Sequence, residues 1–182
     1  MATRPPLPYT PDDADPATLP TPGLRRRLAA MLYEGVVLFG VLMIAGLLFS
    51  TLTDQRHALH GRLEMQLFLF CILGLYFAWF WVHGGQTVAM KTWHIRVVRA
   101  DGGPVTWVNA VVRYVLSWLW FLPALAVAAA LGLHTSRAYS LALLVGVIVH
   151  AGLSRLLPDR QFLHDRLGRT RLVTWRPAPR KR

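Results

Sequence analysis

Four long runs of apolar residues, separated by short polar stretches, dominate the chain: residues 28–52, 63–82, 108–133 and 138–157. An α-helix rises about 1.5 Å per residue, so ~20 apolar residues cross a hydrocarbon core ~30 Å thick. Each run is long enough, and the pattern predicts four transmembrane helices. Pro123 falls near the middle of the third, where it removes a backbone donor and kinks the helix. The second run ends on Tyr76, Trp79, Trp81 and His83, the aromatic character of a membrane interface.

The stretches between the runs differ in kind. Residues 92–99 alternate and are rich in β-formers, Asp101–Gly102–Gly103–Pro104 reads as a turn, and residues 105–107 resume extended character. This predicts a short hairpin or interfacial excursion between the second and third spans. Residues 1–23 hold seven prolines and the clustered acids Asp12, Asp13 and Asp15, which predicts a disordered or polyproline-like tail. The last 25 residues are strongly basic and read as a second tail. As domains, this gives a tail over 1–23, a membrane domain over 24–175 and a basic end over 176–182.

Composition supports the membrane reading. Apolar residues make up 54% and charged residues 16%, against ~25% charged in a soluble domain. The charges are lopsided, 20 Lys and Arg against 9 Asp and Glu. DNA-binding domains also run basic but are not this apolar, and no recognition motif accompanies the charge, so nucleic acid is not an expected partner. The lone Cys71 excludes an internal disulfide. The basic residues sort by side. Four precede the first span, three lie between the second and third, and nine follow from Arg155 on. The other two loops carry two and one. Positive charge stays inside, so both termini and the middle loop are expected in the cytoplasm, with the basic tail touching anionic lipid. Arg25, Arg26 and Arg27 before the first run suggest an export signal, but that run is long, contains Glu34 and lacks a cleavage site after it. A membrane anchor is the better reading.

Ionisable groups within spans are costly and need a reason. Glu34 lies about 9 Å into the first span, Arg113 about 8 Å into the third and His150 about 10 Å from the end of the fourth, all toward one side. Their common depth leads to the expectation that Glu34 and Arg113 are direct neighbours with His150 in the same pocket. Arg27, seven residues before Glu34, shares its helical face. Two readings stand: an ion-paired bundle core, or a polar, proton-coupled ion path with Glu34 as the titrating carboxylate. His57 and His60 are three apart in a loop and lack a third ligand, so they read as solvated histidines, not a metal site. Residues 84–86 read as a turn and lack phosphate-loop spacing. No nucleophile–base set or cofactor motif appears, so neither enzymatic activity nor a cofactor or metal is expected.

Several motifs in order carry a family resemblance. Arg27-Leu28-Ala29-Ala30 with Glu34 resembles the first-span signature of the RDD family of bacterial membrane proteins, named for one arginine and two aspartates. Gly85-Gln86-Thr87 with Met90-Lys91 and Ile95-Arg96-Val97-Val98 resembles its central segment, continued by residues 101–105 and by Ala110, Arg113 and Tyr114. His164-Asp165-Arg166-Leu167 with Thr170 resembles its C-terminal motif. By position the family arginine is Arg27, the first aspartate is replaced by Glu34 and the second is Asp165. The resemblance implies a bacterial inner-membrane protein with a transport role, in some members cation/proton antiport. It also implies Asp165 near Arg27 at the cytoplasmic interface. The fold expected is all-α with four spans. Four spans are few for a solute path, so a homo-oligomer or a partner membrane protein is expected. A non-transporting scaffold, holding a partner through its cytoplasmic segments, is the alternative.

Overall fold

The structure, a computed structural model, describes residues 14–53 and 62–176. His57, His60, residues 1–13 of the proline-rich stretch and residues 177–182 of the basic end lie outside the described residues.

Four spans are present. α1 covers Leu24–Leu52 and α2 covers Arg62–Gly84. The third span is broken: α4 covers Trp107–Ser117, a 3₁₀ turn covers Trp118–Trp120, and α5 covers Leu122–Ala130. Pro123 sits in the first turn of α5, so the predicted kink is a break at Phe121 (φ −120°, ψ −48°). A proline is tolerated there because its missing N–H has no intrahelical acceptor in any case. α6 covers Ser136–Leu156. Thr106 and Thr135 cap α4 and α6, each accepting a backbone N–H three residues on. All four spans are long and apolar enough to cross a membrane. They leave large apolar side chains such as Leu32, Phe39, Leu144 and Ile148 exposed, as a lipid-facing surface requires.

The remaining elements gather at one end of the bundle. α3 (Val88–Thr92) and β1 (Ile95–Arg99) follow α2, and α7 (Leu163–Leu167) and β2 (Thr170–Thr174) follow α6. β1 and β2 pair antiparallel, with Val97 opposite Leu172. The local hairpin between the second and third spans is therefore not formed. β1 is a real strand, but residues 104–106 lead straight into the cap of α4, and β1's partner comes from the C-terminal segment.

Two isolated strands are marginal, and their open edges need cover. On the β1 side, Val97 N–H donates to the Gly85 carbonyl (2.7 Å) and the Gln86 amide donates to the Ile95 carbonyl. Gly85 (φ +67°) is required there, since a Cβ would lie 2.6 Å from the Val97 oxygen. On the β2 side, the Gln161 side chain both donates to and accepts from the Leu172 backbone, and Thr174 N–H donates to the Pro20 carbonyl.

The tail reading is thereby corrected for residues 15–22, and the basic stretch from 158 is no tail over the part that the 24–175 domain bounds already include. Residues 15–22 run along β2, with Arg171 donating to the Ala17 and Leu19 carbonyls and Pro22 buried. Residues 158–174 carry a 3₁₀ turn, α7 and β2, and belong to the domain. Composition misled because proline and arginine disfavour a core of their own but pair well with exposed strand edges.

The β1–β2 pair forces the segment before α4 and the segment after α6 onto one side of the membrane. Single cysteines at Asp101, Arg166 and Arg137, in a Cys71→Ser background, test this with an impermeant maleimide. Positions 101 and 166 are expected to label from one side and 137 from the other. Labelling of 101 and 166 from opposite sides would overturn the pairing.

Candidate functional site

α1 presents Arg27, Ala30, Met31, Glu34 and Leu38 along one helical stripe, and α4 with the break after it presents Arg113, Tyr114, Ser117 and Phe121. Between them lies a mostly apolar cavity of about 350 Å³. Phe77 and Trp81 of α2 wall it, and Phe162, His164 and Leu172 close the end nearest the sheet.

Asp165 sits beside this end with no exposed surface. It accepts from the Arg113 Nη1 and from the Phe162 backbone N–H at 3.2 Å, and the His164 Nε2 lies 3.2 Å from it. Arg113 Nη1 also donates to Thr170 Oγ1 (2.9 Å), whose hydroxyl donates back to the Asp165 carbonyl. The Arg113 guanidinium lies 4.8 Å from the Trp81 ring centroid. Burial works to raise the Asp165 carboxyl, but the Arg113 charge and these donors outweigh it and hold the group below the ordinary carboxylate range.

His164 is fixed in one form. Trp120 Nε1–H donates to its Nδ1 at 3.1 Å, and an indole nitrogen can only donate. Nδ1 is therefore bare, the proton sits on Nε2, which lies near the Asp165 carboxylate, and the ring is neutral. Burial, with the Arg113, His150 and Arg27 charges against the attraction of Asp165, pushes the imidazole down to about 4.

Two expected pairings are not formed. Glu34 does not pair with Arg113: its Oε1 accepts from Tyr76 Oη (2.6 Å) and its Oε2 from Thr87 Oγ1. Asp165 does not pair with Arg27, because Arg113 holds it, and Arg27 instead lies over the Phe162 ring, 4.1 Å from its centroid. Common depth fixes only one coordinate; the direction a side chain takes around its helix decides the partner. His150 joins the Asp165 side of the site. Its ring packs 4.4 Å from Trp120 and 5.9 Å from His164, and it does not line the cavity with Glu34.

So Arg27, Arg113, His150 and Asp165 gather at one end, and Glu34 stands apart on hydroxyls. Sequence reading left Tyr76, Thr87, Trp120 and Thr170 without roles. Thr87 and Thr170 lay within the quoted motifs, which was a usable signal. Tyr76 read as an interface aromatic, and nothing in its surroundings marked it otherwise. Trp81, read the same way, is buried.

Breaking one side of a buried pair costs ~3–5 kcal/mol, so Asp165→Ala and Arg113→Ala are each expected to lower the melting temperature in detergent sharply. The double variant is expected to lose less than the sum of the two. Strict additivity would argue against the pair. The neutral His164 makes stability depend on pH. Between an unfolded value near 6.5 and a folded value of about 4, only the unfolded chain takes up the proton, so stability falls as pH falls through that window. His164→Gln can keep an acceptor for the Trp120 indole and a polar group near Asp165 without titrating. It is expected to retain the fold and flatten that part of the pH profile of the melting temperature; an unchanged profile would contradict the assignment.

A model of the RDD family matches residues 21–169. Neither a curated protein nor a solved structure matches the chain. The match takes in all four spans, the Gly85–Gln86–Thr87 turn and the Asp165 site. The chain is an integral membrane protein that belongs to the RDD family.

Proposed function

We propose that this protein is a small transport or transport-accessory module in a bacterial inner membrane, with Glu34 as its proton-carrying group and cation/proton exchange as its activity. The observation that supports this is the company Glu34 keeps. A buried carboxylate with a structural role is expected to sit on a cation, as Asp165 sits on Arg113. Glu34 is 7% exposed within a span and is held by two hydroxyls instead. A hydroxyl can donate to a carboxylate and accept from a carboxylic acid, so Tyr76 and Thr87 can serve either protonation state. The same residue lines the cavity. Proton relays place carboxylates in spans in this way.

The basic residues, concentrated on the side of the sheet, favour cytoplasmic termini and contact with anionic lipid headgroups. Four spans enclose little space, so a homo-oligomer or a partner membrane protein completes the path. The alternative, a scaffold without transport, draws support from the way α7 and β2 are locked to α4 through Asp165. That arrangement presents a rigid surface at one end of the bundle.

Purified protein in proteoliposomes tests the choice through sodium- or potassium-dependent collapse of an imposed pH gradient. Wild type is expected to collapse the gradient, and Glu34→Gln, which keeps partners for both hydroxyls, is expected to lose the activity. Unchanged flux in Glu34→Gln would remove the proton-carrying role, and no flux in either would favour the scaffold.

A further inference from the structure

The cavity holds hydrogen-bond donors that no group of the chain uses. Arg27 is 3% exposed and Arg113 is 4% exposed, and both line the cavity. Arg27 Nε and Nη1 and Arg113 Nε have no acceptor among the described residues. Buried donors are nearly always paired, so three guanidinium nitrogens with orphaned N–H groups beside one cavity point to an acceptor from outside the chain.

The charge balance says what kind. Asp165 is neutralised by Arg113, and the oxygens of Glu34 are taken by Tyr76 and Thr87. Among the described residues no carboxylate is hydrogen-bonded to Arg27. Its positive charge therefore faces the cavity with the Phe162 ring against it and Asp165 acting on it only through space, without a hydrogen bond.

The shape says the rest. α1 starts at the sheet end, where Arg26 binds the Trp93 and His94 carbonyls, and α4 starts just after β1, so both helices leave that end together. On each wall an arginine comes first and apolar side chains follow: Leu38 is about 16 Å beyond Arg27, and Phe121 lies at the break beyond Arg113. Leu73 and Phe77 complete the apolar depth. A small inorganic anion would satisfy the donors and leave this depth empty. An uncharged lipid chain would fill the depth and leave the donors orphaned. A volume of about 350 Å³, near the lower end of the ~300–1,000 Å³ of small-molecule sites, suits one chain and not two.

We propose that the cavity binds a single-chain amphiphilic carboxylic acid from the lipid phase. Its carboxylate sits on the Arg27 guanidinium, where a planar fork matches two oxygens, and its chain runs toward Leu38 and Phe121. Binding does not depend on the transport reading, since the cavity can hold such a molecule without moving it.

The experiment uses full-length protein in phosphatidylcholine nanodiscs and 11-dansylamino-undecanoic acid as the probe. Trp81, Trp118 and Trp120 line the cavity and serve as energy-transfer donors. Saturable transfer is expected, displaced by palmitate but not by methyl palmitate or inorganic phosphate. Arg27→Gln is expected to weaken probe binding at least tenfold, and Arg27→Lys to restore part of it. Leu38→Trp, which fills the apolar end far from the charge, is expected to weaken it as well, and guards against a folding defect in the arginine variants. Displacement by methyl palmitate as strong as by palmitate, displacement by phosphate alone, or wild-type affinity in both Arg27→Gln and Leu38→Trp would overturn the proposal. Flux is measured separately, so loss of binding and loss of transport remain distinguishable.

Discussion

A carboxylate sealed from solvent in the middle of a protein must find its counter-charge, and Asp165 finds it in Arg113, 52 residues earlier. Most of the sheet end of the molecule follows from that requirement. Arg113 lies in a span, so the short helix α7 is drawn down against α4. Thr170 closes the ring of donors and fixes where β2 begins. β2 then meets β1, Gln161 extends the pairing through its side chain, and residues 15–22 lie along the outer edge. The pair does not need to add much net stability to do this. A buried ion pair is a weak source of stability but a strong discriminator among arrangements, because every alternative leaves a bare charge in an apolar place.

The two acidic groups of the family motif have come to occupy opposite environments. Asp165 is surrounded by donors and a full positive charge, and the histidine beside it is held neutral by an indole. Glu34 touches two hydroxyls at the wall of a cavity. Where a fold separates two carboxyl groups this way, their roles separate too. The first has a cation beside it, and the second has two hydroxyls and no cation. Glu34 reaches Tyr76 on α2 and Thr87, the cap of α3 just after that helix.

The four spans were legible because a bilayer imposes length and apolarity on each segment independently of the others. Pro123 was legible for the same local reason. What escaped was every feature that depends on two distant segments. β1 was visible as an alternating stretch, but Thr170–Thr174 lies inside a strongly basic C-terminal stretch that read as a tail, so its role as partner was not. The depth argument for Glu34, Arg113 and His150 located all three toward the right end and still mispaired them. The order of residues gives height along a helix, while pairing depends on how helices are rotated, which neighbouring helices set. The prolines and arginines at the two ends concealed segments whose backbone groups, not side-chain hydrophobicity, hold them in place.

Position in the chain also fixes the order in which these partners meet. The first span leaves the ribosome long before Trp93 and His94, whose carbonyls its Arg26 binds, and before Thr174 beside them. Arg113 waits for Asp165 as well. At ~5–20 residues per second, a separation of 52 residues leaves that guanidinium without its carboxylate for roughly 3–10 s during synthesis. The third span must therefore enter the membrane, or linger at its edge, with an unmatched charge. The last elements made, α7 and β2, complete the salt bridge and the sheet, so assembly of this small bundle is governed from its C-terminal segment.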